Sequence, residues 1–148
     1  MTNWFMVINM IFIDSGFFYS YMNEEDKNHK YTLPIMKSAL TGEYGKIIIS
    51  NYVTDEILTL ARVRTGNCKC GKEILRLIKT KKGKTNIFFE VLIDKVLIKS
   101  SEFYFERFCE KGLSFTDCSI LAIIESLHID YLASFDSGFQ GLVKNLLN

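Results

Sequence analysis

The sequence predicts an α/β fold with three layers, in which a central, mostly parallel sheet of four or five strands lies between two layers of helices. Two observations indicate this class. Four short apolar runs lack the alternation of a half-exposed strand, and stretches of helical length separate them. Strands that alternate with helices along a chain favour a parallel sheet with helices on both faces. At 148 residues we expect a single domain, 1–148, with one core.

The first half of the chain predicts two strands and three helices. Residues 10–13 are an unbroken apolar run, typical of a strand buried on both faces, and the run stops at Asp14. The β-branched run 46–50 predicts the second strand. Apolar residues recur at helical spacing across 51–64, where Thr54 is a candidate cap near the start. Shorter helices are expected over 17–22 and 30–40.

A helix over 71–80 and a strand over 86–93 are expected next, separated by a lysine-rich turn. Asp94 is placed to begin the helix that follows this strand. Four residues of that helix are spaced to face the core: Leu97, Tyr104, Phe105 and Phe108.

The C-terminal third predicts the most buried helix and the last strand. Segment 113–127 is apolar nearly all round, which is typical of a helix in the interior. Residues 131–134 form a last short strand, followed by an acid, Asp136. The tail, 139–147, is amphipathic and is expected to be helical.

Composition and missing motifs exclude several classes of function. No apolar run approaches the roughly 18–20 uncharged residues of a membrane span, and the N-terminus lacks a secretion signal, so we expect a cytoplasmic protein. Residues 1–9 add little to the pattern and are a candidate N-terminal extension. The four cysteines do not show zinc-finger spacing. Neither a serine-hydrolase elbow nor a nucleotide-binding glycine motif is present.

Four carboxylates at the ends of predicted elements remain as candidates for chemistry: Asp14, Glu56, Asp117 and Asp136. Each has an ordinary structural explanation, as a helix cap, a partner of a helix dipole or a turn residue. Strand ends and the following helix starts share one edge of a parallel sheet, however, so the four acids are candidates for one site. Crowded carboxylates repel, and a divalent cation such as Mg²⁺ or Mn²⁺ relieves that repulsion.

The chain resembles the PIN domain family, and within it the VapC-type toxin ribonucleases. The resemblance is carried by four blocks in the family's order, which span nearly the whole chain: Ile11-Phe-Ile-Asp-Ser15, Thr54-Asp-Glu-Ile-Leu-Thr-Leu60, Leu113-Ser-Phe-Thr-Asp-Cys118 and Leu132-Ala-Ser-Phe-Asp-Ser-Gly-Phe139. The last two blocks are the most specific.

The resemblance implies roles for particular residues. The family's acidic positions fall on the same four carboxylates, with Asp55 as a competitor of Glu56. It implies that the three aspartates bind Mg²⁺ or Mn²⁺ directly or through water, and that Glu56 binds a second ion or orients the attacking water. Hydroxyls that orient these groups match Ser15, Thr116 and Ser134. Many members carry a further acid where this chain has Gly138.

A basic segment in the middle of the chain is a candidate RNA-binding surface, because clustered cations are typical of proteins that bind a phosphate backbone. A solvated helix face is the ordinary alternative, and beside an acidic metal site the two interpretations are evenly balanced. The segment comprises Arg62, Arg64, Lys69, Lys72, Arg76, Lys79, Lys81, Lys82 and Lys84.

The leading functional hypothesis is a metal-dependent endoribonuclease, the toxin of a type II toxin–antitoxin system. The resemblance implies an RNA substrate, a homodimer and an antitoxin protein as partners. A PIN nuclease for RNA processing or decay without an antitoxin is the alternative enzyme. A PIN-fold module that binds RNA or protein without catalysis is the alternative from another class.

Overall fold

The computed structural model of the protein describes residues 8–147, so most of the candidate extension 1–9 lies outside the described residues. The elements, in chain order, are β1 (Met10–Ile13), α1 (Ser15–Met22), α2 (His29–Leu40), β2 (Lys46–Ser50), α3 (Asn51–Thr65), α4 (Lys69–Ile78), β3 (Lys81–Lys82), β4 (Thr85–Asn86), β5 (Phe88–Val91), α5 (Lys95–Phe108), α6 (Phe115–Leu127) and β6 (Tyr131–Ala133). Among these residues no helix is long and apolar enough to cross a membrane.

Four parallel strands form the central sheet, in the order β5-β2-β1-β6. The chain moves from β1 through β2 to β5 and then returns to place β6 on the other side of β1. Right-handed crossovers therefore place α1 to α4 on one face and the pair α5 and α6 on the other. The predicted three-layer architecture is confirmed.

The core lies on both faces of β1 and β2. Ile11, Phe12 and Ile13 are fully buried, which explains why β1 reads as a continuous apolar run. Residues 117–123 of α6, which packs against α5, are buried as well, as predicted for the helix over 113–127.

Two side-chain roles expected in the helices are wrong. Ser50, not Thr54, is the N-cap of α3: its hydroxyl accepts a hydrogen bond from the backbone N–H of Val53. Thr54 lies one turn inside the helix and donates its hydroxyl to Glu90 instead. Phe105 was expected in the core, but 40% of its surface is exposed, because it lies beside the helix face that packs inward.

The predicted strand over 86–93 is two separate pieces. Its first residue belongs to the small antiparallel pair β3–β4, which turns at Gly83, and only Phe88–Val91 joins the central sheet. Gly83 adopts a left-handed backbone that glycine tolerates without strain, so the lysine-rich turn closes a hairpin.

The tail over 139–147 is not helical. Ser137–Phe139 is a single 3₁₀ turn, after which the chain runs alongside β6. Leu132 donates its N–H to the Lys144 carbonyl, and Leu146 donates to the Leu132 carbonyl, so the tail covers the free edge of β6. Pairing with an open strand edge satisfies more backbone groups here than a short terminal helix.

Candidate active site

The site lies where the strand order reverses, at the carboxyl ends of β1 and β6. The chain leaves β1 across one face of the sheet and reaches β6 across the other face. This arrangement opens a crevice beyond the carboxyl ends of the two strands. Asp14 follows β1 directly, and its backbone N–H donates to the carbonyl of Ala133 over 3.1 Å. The crevice therefore begins at Asp14.

Asp14 is a buried carboxylate held from both sides. It caps α1, since its Oδ1 accepts from the N–H of Ser15 over 2.7 Å. Its Oδ2 accepts from the hydroxyl of Ser134 over 2.6 Å. Only 5% of the residue is exposed. Asp14 can therefore cap α1 and take part in the site at the same time, because Oδ1 accepts from Ser15 and Oδ2 accepts from Ser134.

Glu56 reaches the same place from α3. The hydroxyl of Ser15 donates to Glu56 Oε1, which links the carboxylates of Glu56 and Asp14 through one side chain. Asp55, the competing acid, is exposed and makes no contact with either residue among the described hydrogen bonds. The structure therefore brings Glu56, and not Asp55, to Asp14.

Asp117 lies in the first turn of α6, 7% exposed. A complete capping box holds it: Ser114 accepts from the Asp117 N–H, and Asp117 Oδ2 accepts from the Ser114 N–H over 2.8 Å. The exchange occupies Oδ2, so Oδ1 is the oxygen left for other contacts.

Asp136 stands in the turn after β6. Its N–H donates to the Ser134 hydroxyl over 3.0 Å, and its Oδ1 accepts from the N–H of Gly138 over 2.8 Å. A Cβ at Gly138 would stand 2.6 Å from the side chain of Leu113, which is buried. A larger residue at position 138 would therefore require the Leu113 side chain to shift.

The electrostatics of the site show that the acids are close enough to repel. Burial raises the pKa of Asp14 to about 6, opposed by the hydrogen bonds from Ser134 and Ser15 and reinforced by the charges of Glu56 and Asp136. Burial likewise raises the pKa of Asp117 to about 7, with the charges of Asp14 and Asp136 adding to the effect.

Within residues 8–147 no basic side chain neutralises these acids, since the only ion pair joins Arg64 to Asp26. Nor do three or more His, Cys, Asp or Glu side chains there form a ready-made metal cage. Hard carboxylate oxygens in an uncompensated cluster fit Mg²⁺ or Mn²⁺, and Mg²⁺ in proteins usually keeps several waters beside one or two carboxylates.

The predicted hydroxyl residues occupy different positions. Ser15 and Ser134 contact Asp14, as described above. Thr116 lies with Glu56 on the wall of a pocket of about 390 Å³ beside the acids. That pocket also has two aromatic walls, Tyr52 and Phe115. Sequence reasoning assigned neither a role, although Phe115 lies within one of the blocks that carry the family resemblance.

The nine basic residues line more than one pocket, Arg64 and Lys69 sharing one of them, and their role in binding RNA stays a prediction. Arg62 and Arg64 lie in the last turn of α3, at the opposite end from Glu56, and Arg64 is engaged by Asp26. Lys79 and Lys81 line a cleft with Thr54, in the first turns of α3. Lys82 lines a separate groove beside β5, with Lys46 and Phe89.

Asn145 is a site-supporting residue that the sequence did not reveal. It is buried in the tail, where its side chain accepts from the N–H and donates to the carbonyl of Ser134, over 3.2 and 2.9 Å. No local sequence pattern predicts this contact, because the tail and the end of β6 meet only when the tail packs on β6.

Comparison with known proteins supports a common origin. Residues 11–144 match the PIN domain model. A VapC ribonuclease of Archaeoglobus fulgidus is 30% identical over 128 residues, which cover 86% of this chain and 78% of that protein.

Solved structures share the fold at lower identity. VapC20 of Mycobacterium tuberculosis, described as a toxin that cleaves the sarcin-ricin loop, superposes with a TM-score of 0.75 at 20% identity and covers 87% of this chain and 92% of that one. VapBC2 of Rickettsia felis, solved with a promoter DNA fragment, gives a TM-score of 0.63 at 12% identity over 92% of this chain and 96% of that one. The chain belongs to the PIN domain family and is a relative of the VapC ribonucleases.

Proposed function

We propose that this chain is a metal-dependent endoribonuclease that hydrolyses RNA phosphodiester bonds. The observation that carries the proposal is the pair of buried aspartates, Asp14 and Asp117, which repel each other and have no cationic partner among the described residues. A buried charge of this kind is costly unless something compensates it. The kinship with a VapC ribonuclease supports RNA as the substrate.

The residues that would hold the metal are Asp14, Asp117 and Asp136, with Glu56 at the side of the cluster. A bound Mg²⁺ or Mn²⁺ supplies a Lewis acid that activates water and stabilises charge on the phosphoryl group. Glu56 is placed to orient the attacking water or to bind a second ion.

Hydroxyl side chains keep this arrangement in place. The Ser134 hydroxyl donates to Asp14 Oδ2 while the backbone N–H of Ser15 donates to Oδ1, and the Ser15 hydroxyl donates to Glu56. Residues that orient ligating carboxylates in this way support metal affinity and geometry. Thr116, beside Glu56, is proposed to contact water or substrate.

The proposal is tested by RNA cleavage with Mg²⁺ or Mn²⁺. We expect Asp14→Asn and Asp117→Asn to lower the cleavage rate by roughly 100-fold or more, since general base and metal contributions reach this size. Asp94→Asn is the matched control: Asp94 caps α5 outside the site, and asparagine caps equally well. Equal cleavage by all four proteins would contradict the proposed site.

We further propose that the protein is the toxin of a toxin–antitoxin pair and acts in the cytoplasm as a homodimer. The VapC relative supports the first part. Exposed apolar side chains at Leu92, Val96 and Phe103, on and before α5, support a surface for a second copy. A small neighbouring gene whose product relieves growth arrest would support a toxin, and growth unaffected by expression would favour an RNA-processing nuclease. Light scattering measures the dimer.

A further inference from the structure

A small pocket adjoins the acids on the side of α3 and α6. It is lined by Tyr52, Asp55, Glu56, Thr59, Phe115 and Thr116, and its volume of about 390 Å³ lies at the small end of ligand pockets, which run from roughly 300 to 1,000 Å³. Glu56 belongs both to this pocket and to the acid cluster. Whatever occupies the pocket therefore lies next to the reacting phosphate.

Two aromatic rings provide the apolar walls. The ring centroids of Tyr52 and Phe115 are 6.4 Å apart with planes inclined at 42°, so the rings do not stack on each other. Neither residue is fully buried or part of the hydrophobic core. Half-exposed aromatic rings beside a nucleic-acid site offer stacking faces to bases, because every base has a π-face.

The position of Phe115 is fixed from behind. Phe105 on α5 packs edge-on against it with a centroid distance of 6.2 Å. The neighbouring Ser114 and Asp117 close the capping box that starts α6. Phe115 is thus held as a rigid wall, which lowers the entropic cost of binding a flat ligand.

The polar lining indicates which edge of a base the pocket accepts. Asp55 is exposed and forms no ion pair in the described part of the chain. An ionised carboxylate only accepts hydrogen bonds, so it pairs with base edges that donate them. An exocyclic amino group, as on adenine, cytosine and guanine, meets this requirement, whereas the N3–H of uracil lies between two carbonyl oxygens that a carboxylate repels.

We propose that Tyr52 and Phe115 bind one unpaired nucleobase of the RNA beside the scissile phosphate, and that Asp55 selects a base that carries an amino group. The inference rests on the proposed ribonuclease function and adds a determinant of where the RNA is cut. It assigns to Asp55 a role different from that of Glu56, although the two are adjacent in sequence.

Binding to a fluorescent single-stranded RNA tests the stacking. In a chain with Asp117→Asn, which blocks cleavage, 2-aminopurine is moved through a short oligonucleotide one position at a time. We expect strong quenching at one position. Tyr52→Leu and Phe115→Leu should each remove this quenching and weaken binding by roughly 5- to 100-fold. Tyr31→Leu is the matched control, since Tyr31 is an exposed aromatic residue on α2.

An abasic nucleotide at the quenched position separates stacking from backbone contact. RNA with the abasic nucleotide should bind the chain that keeps both rings as weakly as intact RNA binds the leucine variants. In the leucine variants, the abasic nucleotide should not weaken binding further. Equal binding of abasic and intact RNA overturns the proposal and leaves the pocket to another occupant, such as a protein side chain. Thermal unfolding of each variant checks that the fold is intact.

Cleavage by otherwise unaltered chains distinguishes this inference from the proposed function. Asp55→Asn should reduce the preference for amino-bearing bases over uracil at the cut site, because an amide both donates and accepts. Metal-dependent cleavage with unchanged sites and rates in the Tyr52 and Phe115 variants overturns the nucleobase site alone. Ring-dependent quenching without any cleavage by the wild-type chain supports the nucleobase site and contradicts the ribonuclease.

Discussion

Asp117 has two roles that respond differently to charge. Its Oδ2 closes the capping box with Ser114, a contact that an asparagine oxygen can also make. Its carboxylate, by contrast, is buried near Asp14 and Asp136. Burial, together with the charges of these two residues, raises the pKa of Asp117 to about 7. Asp117→Asn therefore separates the structural contact from the charge.

The sign of the pH dependence follows from this shift. The pKa of Asp117 rises from 3.8 in the unfolded chain to about 7 in the folded protein, so its stabilising contribution is complete below pH 4 and is lost as the pH rises through 7. Asp14, with a pKa of about 6, behaves alike. Without metal, we expect the unfolding free energy of both proteins to fall between pH 5 and pH 8. The fall should be smaller for Asp117→Asn than for wild type, by roughly 1–3 kcal/mol.

Urea unfolding in EDTA at both pH values measures this difference, and titrating groups outside the acid cluster cancel in the comparison. Mn²⁺ at pH 8 should stabilise the wild-type chain and leave Asp117→Asn nearly unchanged, since bound metal stabilises only the folded state. Parallel pH curves for the two proteins, or equal stabilisation by Mn²⁺, would refute the view of Asp117 as an uncompensated buried charge.

At the level of elements, the start of α3 sets the position of Glu56. Ser50 ends β2 and caps α3 in one residue, so the helix begins directly at the carboxyl end of the strand. One and a half turns later, Glu56 faces Asp14 while its neighbour Asp55 faces the aromatic pocket. Because no loop separates β2 from α3, the directions in which Asp55 and Glu56 point are fixed by the end of the strand.

We expect Ser50→Ala to lower the unfolding free energy by about 1 kcal/mol, the usual cost of losing a helix cap. Thr54→Val removes only a partly exposed hydrogen bond to Glu90 and should cost about half as much. Denaturant unfolding of both variants measures the two costs. A greater loss at Thr54 than at Ser50 would restore Thr54 as the cap.

At the scale of the whole molecule, the C-terminal tail supports the edge of the sheet that carries the acids. Its residues pair with β6, and Asn145 binds both backbone polar groups of Ser134. Ser134 in turn contacts Asp14 and the backbone of Asp136. The position of Asp14 therefore depends on residues that are remote from it in sequence.

We expect Asn145→Ala to destabilise the protein by roughly 2–4 kcal/mol, because it leaves buried groups of Ser134 without partners. RNA cleavage should fall as well, through the displaced Ser134. Lys144→Ala is the control in the same tail: Lys144 is exposed, and its loss removes only a contact over the Tyr131 ring. Unfolding and cleavage assays on both variants check this, and equal effects would argue against a specific role for Asn145.

The sequence by itself determined the fold class and the identities of the acids. Buried parallel strands are readable because they are apolar on both faces, and α6 is readable because it is apolar all round. Asp14 and Asp117 stand at the boundaries of such elements, where periodicity ends abruptly. Local pattern therefore carried enough information to bring these residues forward, and the family resemblance joined them.

Only the tertiary structure decided which side chains meet. The link from Ser15 to Glu56 spans 41 positions and that from Ser134 to Asp14 spans 120, and no local pattern encodes such contacts. The same holds for the tail on β6 and the exposure of Phe105. Periodicity reports which face of an element is buried, whereas the packing of elements against each other decides what that face, and its polar rim, contacts.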